Sequence, residues 1–279
     1  MPKKKTGHET ETDEEKTTVV QKSLPSSSTR SEQKDTADQE KTGNKKKMQF
    51  TNSLQTKEKN KSNNANGQAM GKTICIDAGH QRYGNNALEA IGPGSTTKKP
   101  KVTSGTEGQY THKAESEVNL ETAKKLKSIL LQRGYKVVMV RETQNVNISN
   151  IQRAEIANKN NADIAIRIHC DGSGNSSLHG YFILTPSSSN KFLSASIVNS
   201  SLKLTKCLLP AIQKTTGASN RGISYRDDLT GTNWSKVPTV LVEMGEMNNR
   251  TEDYALASSA YQEKMATGMA NGIDDYFGK

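Results

Sequence analysis

Hydrophobic positions along this chain fall into two regimes. From residue 1 to about 70, "TTVV" is the longest apolar cluster in a background of Lys, Glu, Asp, Thr, Ser, Asn and Gln. Such a segment cannot bury enough apolar surface to offset its chain entropy, so 1–70 is expected to be a disordered polar and basic tail or linker. From residue 71 onward, short apolar runs alternate with stretches of helical period. "TICI", "YKVVMV", "DIAIRI", "GYFILT" and "TVLVE" read as strands. "ESEVNLETAKKLKSILLQR" at about 115–133 reads as a helix stopped by Gly134, and "SNIQRAEIANKN" as a helix with Ser149 as its N-cap. Further helices are expected at about 191–215 and 259–277, and long polar loops at 81–112 and 220–238. Alternating strand and helix units predict an α/β fold, a mostly parallel twisted sheet flanked by helices, forming a single catalytic domain over 71–279.

In sheets of this kind, ligands sit outside the carboxyl ends of the strands. Three of the expected strands deliver an ionisable residue there. "TICI" leads to His80, "DIAIRI" to His169 and "TVLV" to Glu243. On the 115–133 helix, Val118, Thr122, Leu126, Ile129 and Leu130 form the inward stripe, and one turn back from it lies Glu115. An inward carboxylate at a helix start either caps the helix, favoured by its dipole, or faces a buried cation. Glu121 and Lys125 read as an i,i+4 surface pair. Two histidines and a carboxylate with an open fourth position are the ligand set of a catalytic zinc site, and a second carboxylate beside it suits general-base work. The residues therefore point to metal-assisted hydrolysis.

Composition changes this picture little. Of 279 residues, 32% are hydrophobic, a lean figure that the tail explains. The net charge of +10 divides into +4 over residues 1–70 and +6 over the remainder. In the tail, Glu and Asp are interleaved with Lys and no aromatics alternate with the basic residues, so a solvated tether is expected and no nucleic acid. A basic domain is compatible with an anionic polymer such as a cell wall. No apolar run is long enough for a transmembrane segment or a signal-peptide core. Cys75, Cys170 and Cys207 form no CxxC pair and are odd in number, which argues against both a disulfide framework and a cysteine zinc site.

"ICIDAGH", "HKAESEVNL", "IRIHCDGS" and "VPTVLVEMGEMNNRTEDYAL", in that order over about 72–277, resemble the signatures of zinc-dependent N-acetylmuramoyl-L-alanine amidases of the type 3 family. The resemblance implies one Zn²⁺ held by His80, Glu115 and His169, with Glu243 as the catalytic glutamate. It implies cleavage of the amide between the lactyl group of N-acetylmuramic acid and L-alanine in peptidoglycan, hence an extracytoplasmic, cell-wall location, although no signal peptide is visible. A regulatory protein partner is left open. The alternatives are a zinc peptidase acting within the stem peptide and a catalytically silent wall-binding protein.

The chain departs from the family at Glu246, where an apolar Phe is usual. Glu246 is expected to be solvated or paired with Arg250, to raise the pKa of Glu243, or to bind a basic group of the substrate. Arg221, Asp227, Asp228 and Trp234, in the polar stretch before the Glu243 strand, are expected to contact substrate together with Glu246. His112, three residues before Glu115, is a conceivable further ligand, and His179 reads as a surface residue.

Overall fold

The computed structural model describes residues 71–279; the 1–70 tail lies outside the described residues. Six strands form the central sheet: β1 (Thr73–Ala78), β4 (Lys136–Met139), β5 (Ile164–Asp171), β6 (Tyr181–Thr185), β7 (Asn220–Tyr225) and β8 (Thr239–Glu246). Their spatial order is β4-β1-β5-β8-β6-β7. All neighbours pair in parallel except β6 with β8, so the β6–β7 pair runs against the rest. The helices are α1 (Glu115–Gln132), α2 (Asn150–Lys159), α3 (Ala195–Thr216), α4 (Thr230–Asn233), α5 (Arg250–Ala257) and α6 (Ser259–Phe277). Ser149 caps α2 as expected, in a reciprocal capping box with Gln152.

Three expectations need correction. The stretch 81–112 is not all loop, because it folds into an antiparallel hairpin of β2 (Asn85–Ala90) and β3 (Lys98–Val102). The stretch 220–238 contains β7 and α4. Glu121 does not pair with Lys125; it accepts from Lys113 and from Gln262, while Lys125 reaches Ser259 on α6.

Strand alternation sorts the sheet into two faces. One carries Ile74 and Ile76, Ile164, Ile166 and Ile168, and Val240 and Val242, packed under α1, α3 and α6 as the main core. The other carries Cys75 and Ala165 towards the start of the strands, where α2 covers them with Ala157. Beyond α2, this second face turns polar. Asp77, Arg167, His169 and Glu243 follow at two-residue spacing on β1, β5 and β8, and register sets Asp77 beside Arg167 and His169 beside Glu243.

Burying these groups requires charge pairing. Asp77 is 4% exposed and lies between two guanidiniums, at 2.6 Å from Arg153 Nη1 and 2.9 Å from Arg167 Nε. Arg153 also donates to the carbonyls of Ala78 and His80, and Arg141 donates to those of Ala78, Gly79 and Ser116. The carbonyls of the turn after β1 are thus held by arginine side chains once the strand ladder ends. This matters because His80 adopts a left-handed backbone with φ of 58°, a conformation that non-glycine residues keep only when their surroundings enforce it.

Burial alone would raise the Asp77 carboxyl, but Arg153 and Arg167 outweigh it and hold the group well below the ordinary carboxylate range. The folded-state pKa is therefore depressed relative to an unfolded value of about 3.9. The stabilisation is complete above that pH and is lost as pH falls through the folded value. Replacing Asp77 by Asn leaves two buried guanidiniums uncompensated and is expected to cost about 3–5 kcal/mol in urea unfolding at pH 7. The gap between the two proteins is expected to shrink once the pH drops below about 4.

Candidate active site

Four side chains meet where β1, β5 and β8 end and α1 begins. His80 and His169 stand edge to face with ring centroids 4.7 Å apart. Glu115, 3% exposed, lies between them. Its Oε2 is 3.1 Å from His80 Nε2 and its Oε1 is 3.1 Å from His169 Nδ1. The donor atoms of all three residues lie within 4.8 Å of one another, and His80, Glu115 and His169 form the one such cluster among the described residues.

Glu115 does not cap its own helix. Its oxygens accept from Thr106 N, from Cys170 N and from Asn119 Nδ2. Burial opposes its charge, but hydrogen bonds and attraction from His169 and His80 prevail and hold its carboxyl well below the ordinary range. His169 is pushed the other way: burial, and then the neighbouring charge of His80, lower its pKa to about 4 against the pull of Glu115, so it stays neutral at pH 7.

The tautomers test whether a cation fits. His80 Nδ1 lies 2.9 Å from the carbonyl of Thr103, which can only accept, so Nδ1 carries a proton and Nε2 is the nitrogen left to face Glu115. A carboxylate oxygen and an imidazole nitrogen 3.1 Å apart share a cation, either a proton or a metal ion, between them. A neutral His169 leaves its buried Nε2 without a partner. Atoms ligating zinc at about 2.0–2.2 Å in a tetrahedron sit roughly 3.3 Å from one another, close to the two Glu115–histidine spacings of 3.1 Å. A backbone carbonyl fixing a ligand's tautomer is also what metal-binding histidines have. The donor set therefore fits a zinc ion. Gly79 makes the packing possible, since a Cβ there would overlap the His169 ring.

Glu243 lines a cleft of about 300 Å³ together with His80 and His169. Its Oε2 is buried and makes no hydrogen bond among the described residues. Burial, and then repulsion from Glu115 and Asp171, raises its pKa well above the usual value, opposed by Arg167 and Arg221. A carboxyl with a raised pKa and an unengaged oxygen is suited to exchanging protons.

The other residues singled out from sequence divide. Asp228 lines the cleft, bridged to Lys99 and Arg226. Arg221 sits beside Glu243, paired with Asp171 at 3.0 Å and stacked over Phe182. Asp227 instead accepts from Ser187 and Asn190 and braces that loop. Trp234 donates to the carbonyl of Ala90 on β2 and is not part of the cleft lining. Glu246 is fully buried, so it is neither solvated nor open to a ligand. It accepts from Ser173 and Asn248, not from Arg250, and the groups that raise Glu243 are Glu115 and Asp171. Glu246, Glu252 and Asp253 act alike: each accepts backbone N–H groups, from Ser173, from Gly180 and from Tyr110 and Thr111 respectively. His112 is exposed and lies outside the His80–Glu115–His169 cluster, and His179 is also exposed. Sequence reasoning misses Arg167, Asp77 and Thr103. The first two carry a readable signal, a lone charge inside an apolar strand.

The sequence model of the N-acetylmuramoyl-L-alanine amidase family (Amidase_3) matches residues 74–275. YqiI of Bacillus subtilis, an uncharacterized protein, is 29% identical over 210 residues, covering 74% of this chain and 85% of its own. The N-acetylmuramoyl-L-alanine amidase LytC of the same organism is 26% identical over 75% of this chain, but only 36% of LytC is covered. Among solved structures, the amidase Ami1 of Mycobacterium abscessus superposes with a TM-score of 0.67 at 27% identity, covering 74% of this chain and 99% of that one. The catalytic domain of CwlV, an amidase of Bacillus (Paenibacillus) polymyxa, follows with a TM-score of 0.56 at 29% identity over 74% and 97% of the two chains. With a family match over most of its length and the same architecture, this chain belongs to the N-acetylmuramoyl-L-alanine amidases, a family of hydrolases.

Proposed function

We propose that the chain is a zinc-dependent amidase that cleaves the bond between the lactyl carbonyl of N-acetylmuramic acid and L-alanine of the stem peptide. The observation that carries this reading is the meeting of His80 Nε2, both oxygens of Glu115 and the His169 imidazole in one cluster, beside the Glu243 carboxyl, whose Oε2 has no hydrogen-bond partner among the described residues. His80, Glu115 and His169 would hold the ion. When bound, zinc supplies Lewis acidity towards a carbonyl oxygen and a water molecule.

The chain's own groups do the rest. The cleft receives the lactyl–alanine segment against Glu243. The Glu243 carboxylate takes a proton from the attacking water. The same carboxyl then returns that proton to the departing amine of L-alanine, and Arg221, held by Asp171, offsets the negative charge beside it. The substrate places this reaction outside the cytoplasmic membrane, and no helix among the described residues is long and apolar enough to cross one.

Digestion of purified peptidoglycan is expected to release new L-alanine amino termini and no others; new termini within the stem would identify a peptidase instead. Glu243→Gln is expected to lower the rate by roughly 10²–10⁴-fold with zinc content unchanged. Gly79→Ala is expected to displace the His169 ring, costing about 1–3 kcal/mol of stability and weakening zinc binding, read by unfolding and by competition with a chromogenic chelator.

A further inference from the structure

The cleft carries more positive charge than the reaction at Glu243 uses. Arg167 lies one strand repeat below His169 on the same face, 6% exposed, and lines the cleft. Its Nε is bound to Asp77 and its Nη2 donates to Asn150 Oδ1 at 2.8 Å, while Nη1 makes no hydrogen bond among the described residues. Gly231 leaves room for the guanidinium, since a Cβ there would come within 2.8 Å of its Cζ and Nη1. Asp77 is the one carboxylate hydrogen-bonded to both Arg153 and Arg167, so the two guanidiniums share a single direct counter-ion. At the rim the pattern repeats, with Lys99 on β3 and Arg226 after β7 sharing the carboxylate of Asp228. A cleft-lining guanidinium that shares its carboxylate partner and has a donor without a hydrogen bond among the described residues is the kind of group that recognises a carboxylate.

The spacing identifies which carboxylate. The reacting carbonyl sits at the level of His169 and Glu243, which are register partners. Arg167 is two residues back along β5, about 6.6 Å away. An extended peptide advances about 3.3–3.6 Å per residue, so the residue following L-alanine comes level with Arg167. Leu184 and Leu241 line the same stretch of cleft and offer the aliphatic part of that residue an apolar wall.

We propose that the lower half of the cleft, floored by Arg167 and rimmed by Lys99 and Arg226, binds a free carboxylate on the stem residue next to L-alanine and makes the enzyme selective for the acid over its amide. The proposal rests on the amidase reading, and its test separates the two. The full-length, zinc-loaded protein is given muramoyl-L-alanyl-D-glutamate and the corresponding diamide, which differ only in the carboxylates. In parallel, affinities for L-alanyl-D-glutamate and its diamide are measured by calorimetry.

A charge-assisted contact predicts a preference for the acid of about tenfold or more in kcat/KM, expressed in KM, and a similar ratio in the dipeptide affinities. Arg167→Gln is expected to bring both ratios to about threefold or less. Lys99→Gln with Arg226→Gln, both on partly exposed side chains, is expected to reduce them as well, and it decides the matter should Arg167→Gln fail to fold. Equal cleavage of acid and diamide overturns this proposal and leaves the amidase reading standing. If neither compound is cleaved, the amidase reading falls, and equal dipeptide affinities then overturn the carboxylate site too.

Discussion

The ion pairs joining Asp77 to Arg153 and Arg167 fix the end of β1, and the site is built outward from them. Arg153 continues from the carboxylate to the carbonyls of Ala78 and His80, so the unfavourable backbone of His80 is held by the same guanidinium that neutralises Asp77. Arg167 is laid along the floor of the cleft by its bond to the other oxygen. Arg141, reaching the Ala78 and Gly79 carbonyls, completes the support for the turn. Replacing such pairs by apolar groups would often cost nothing in stability, so their presence in this sheet is better understood as positioning charge and backbone for His80 and the cleft.

Glu115 balances the arrangement from above. It brings a negative charge into a region where Glu243 and Asp171 already repel one another, and its Oε2 faces Nε2 of His80 at 3.1 Å. The buried Nε2 of His169 has no hydrogen-bond partner among the described residues, and leaving such a nitrogen unpaired is costly. A metal held by these residues would relieve that cost. Metal affinity and fold stability would thereby be coupled through the same few atoms. The acidic residues at the end of β8 and the start of α5 have the complementary role, because Glu246, Glu252 and Asp253 spend their charges on backbone N–H groups of the surrounding loops.

Much of this is legible in the sequence because period-two alternation fixes both a strand and the face of each of its residues. "ICIDAGH", "IRIHCD" and "TVLVE" announce His80, His169 and Glu243 at one sheet edge, and the inward stripe of α1 announces Glu115. The β2–β3 hairpin is not legible: its strands, "NNALEA" and "KKPKV", are largely exposed, lack alternation and include Pro100. β7 escapes for the same reason. Glu246 misleads because its partners, Ser173 N and Oγ, lie 73 residues away and become neighbours only through sheet register. Arg167 and Asp77 are visible as lone charges in apolar strands, but their pairing depends on β1 lying beside β5.

The most direct measurement is the metal content of the purified full-length chain, for the wild type and for His80→Ala and Glu115→Ala. Close to one zinc per wild-type chain is expected, with loss of that zinc in both variants while each remains folded. Stoichiometric zinc retained by both variants, or none bound by the wild type in zinc-containing buffer, would contradict a metal centre built from His80, Glu115 and His169.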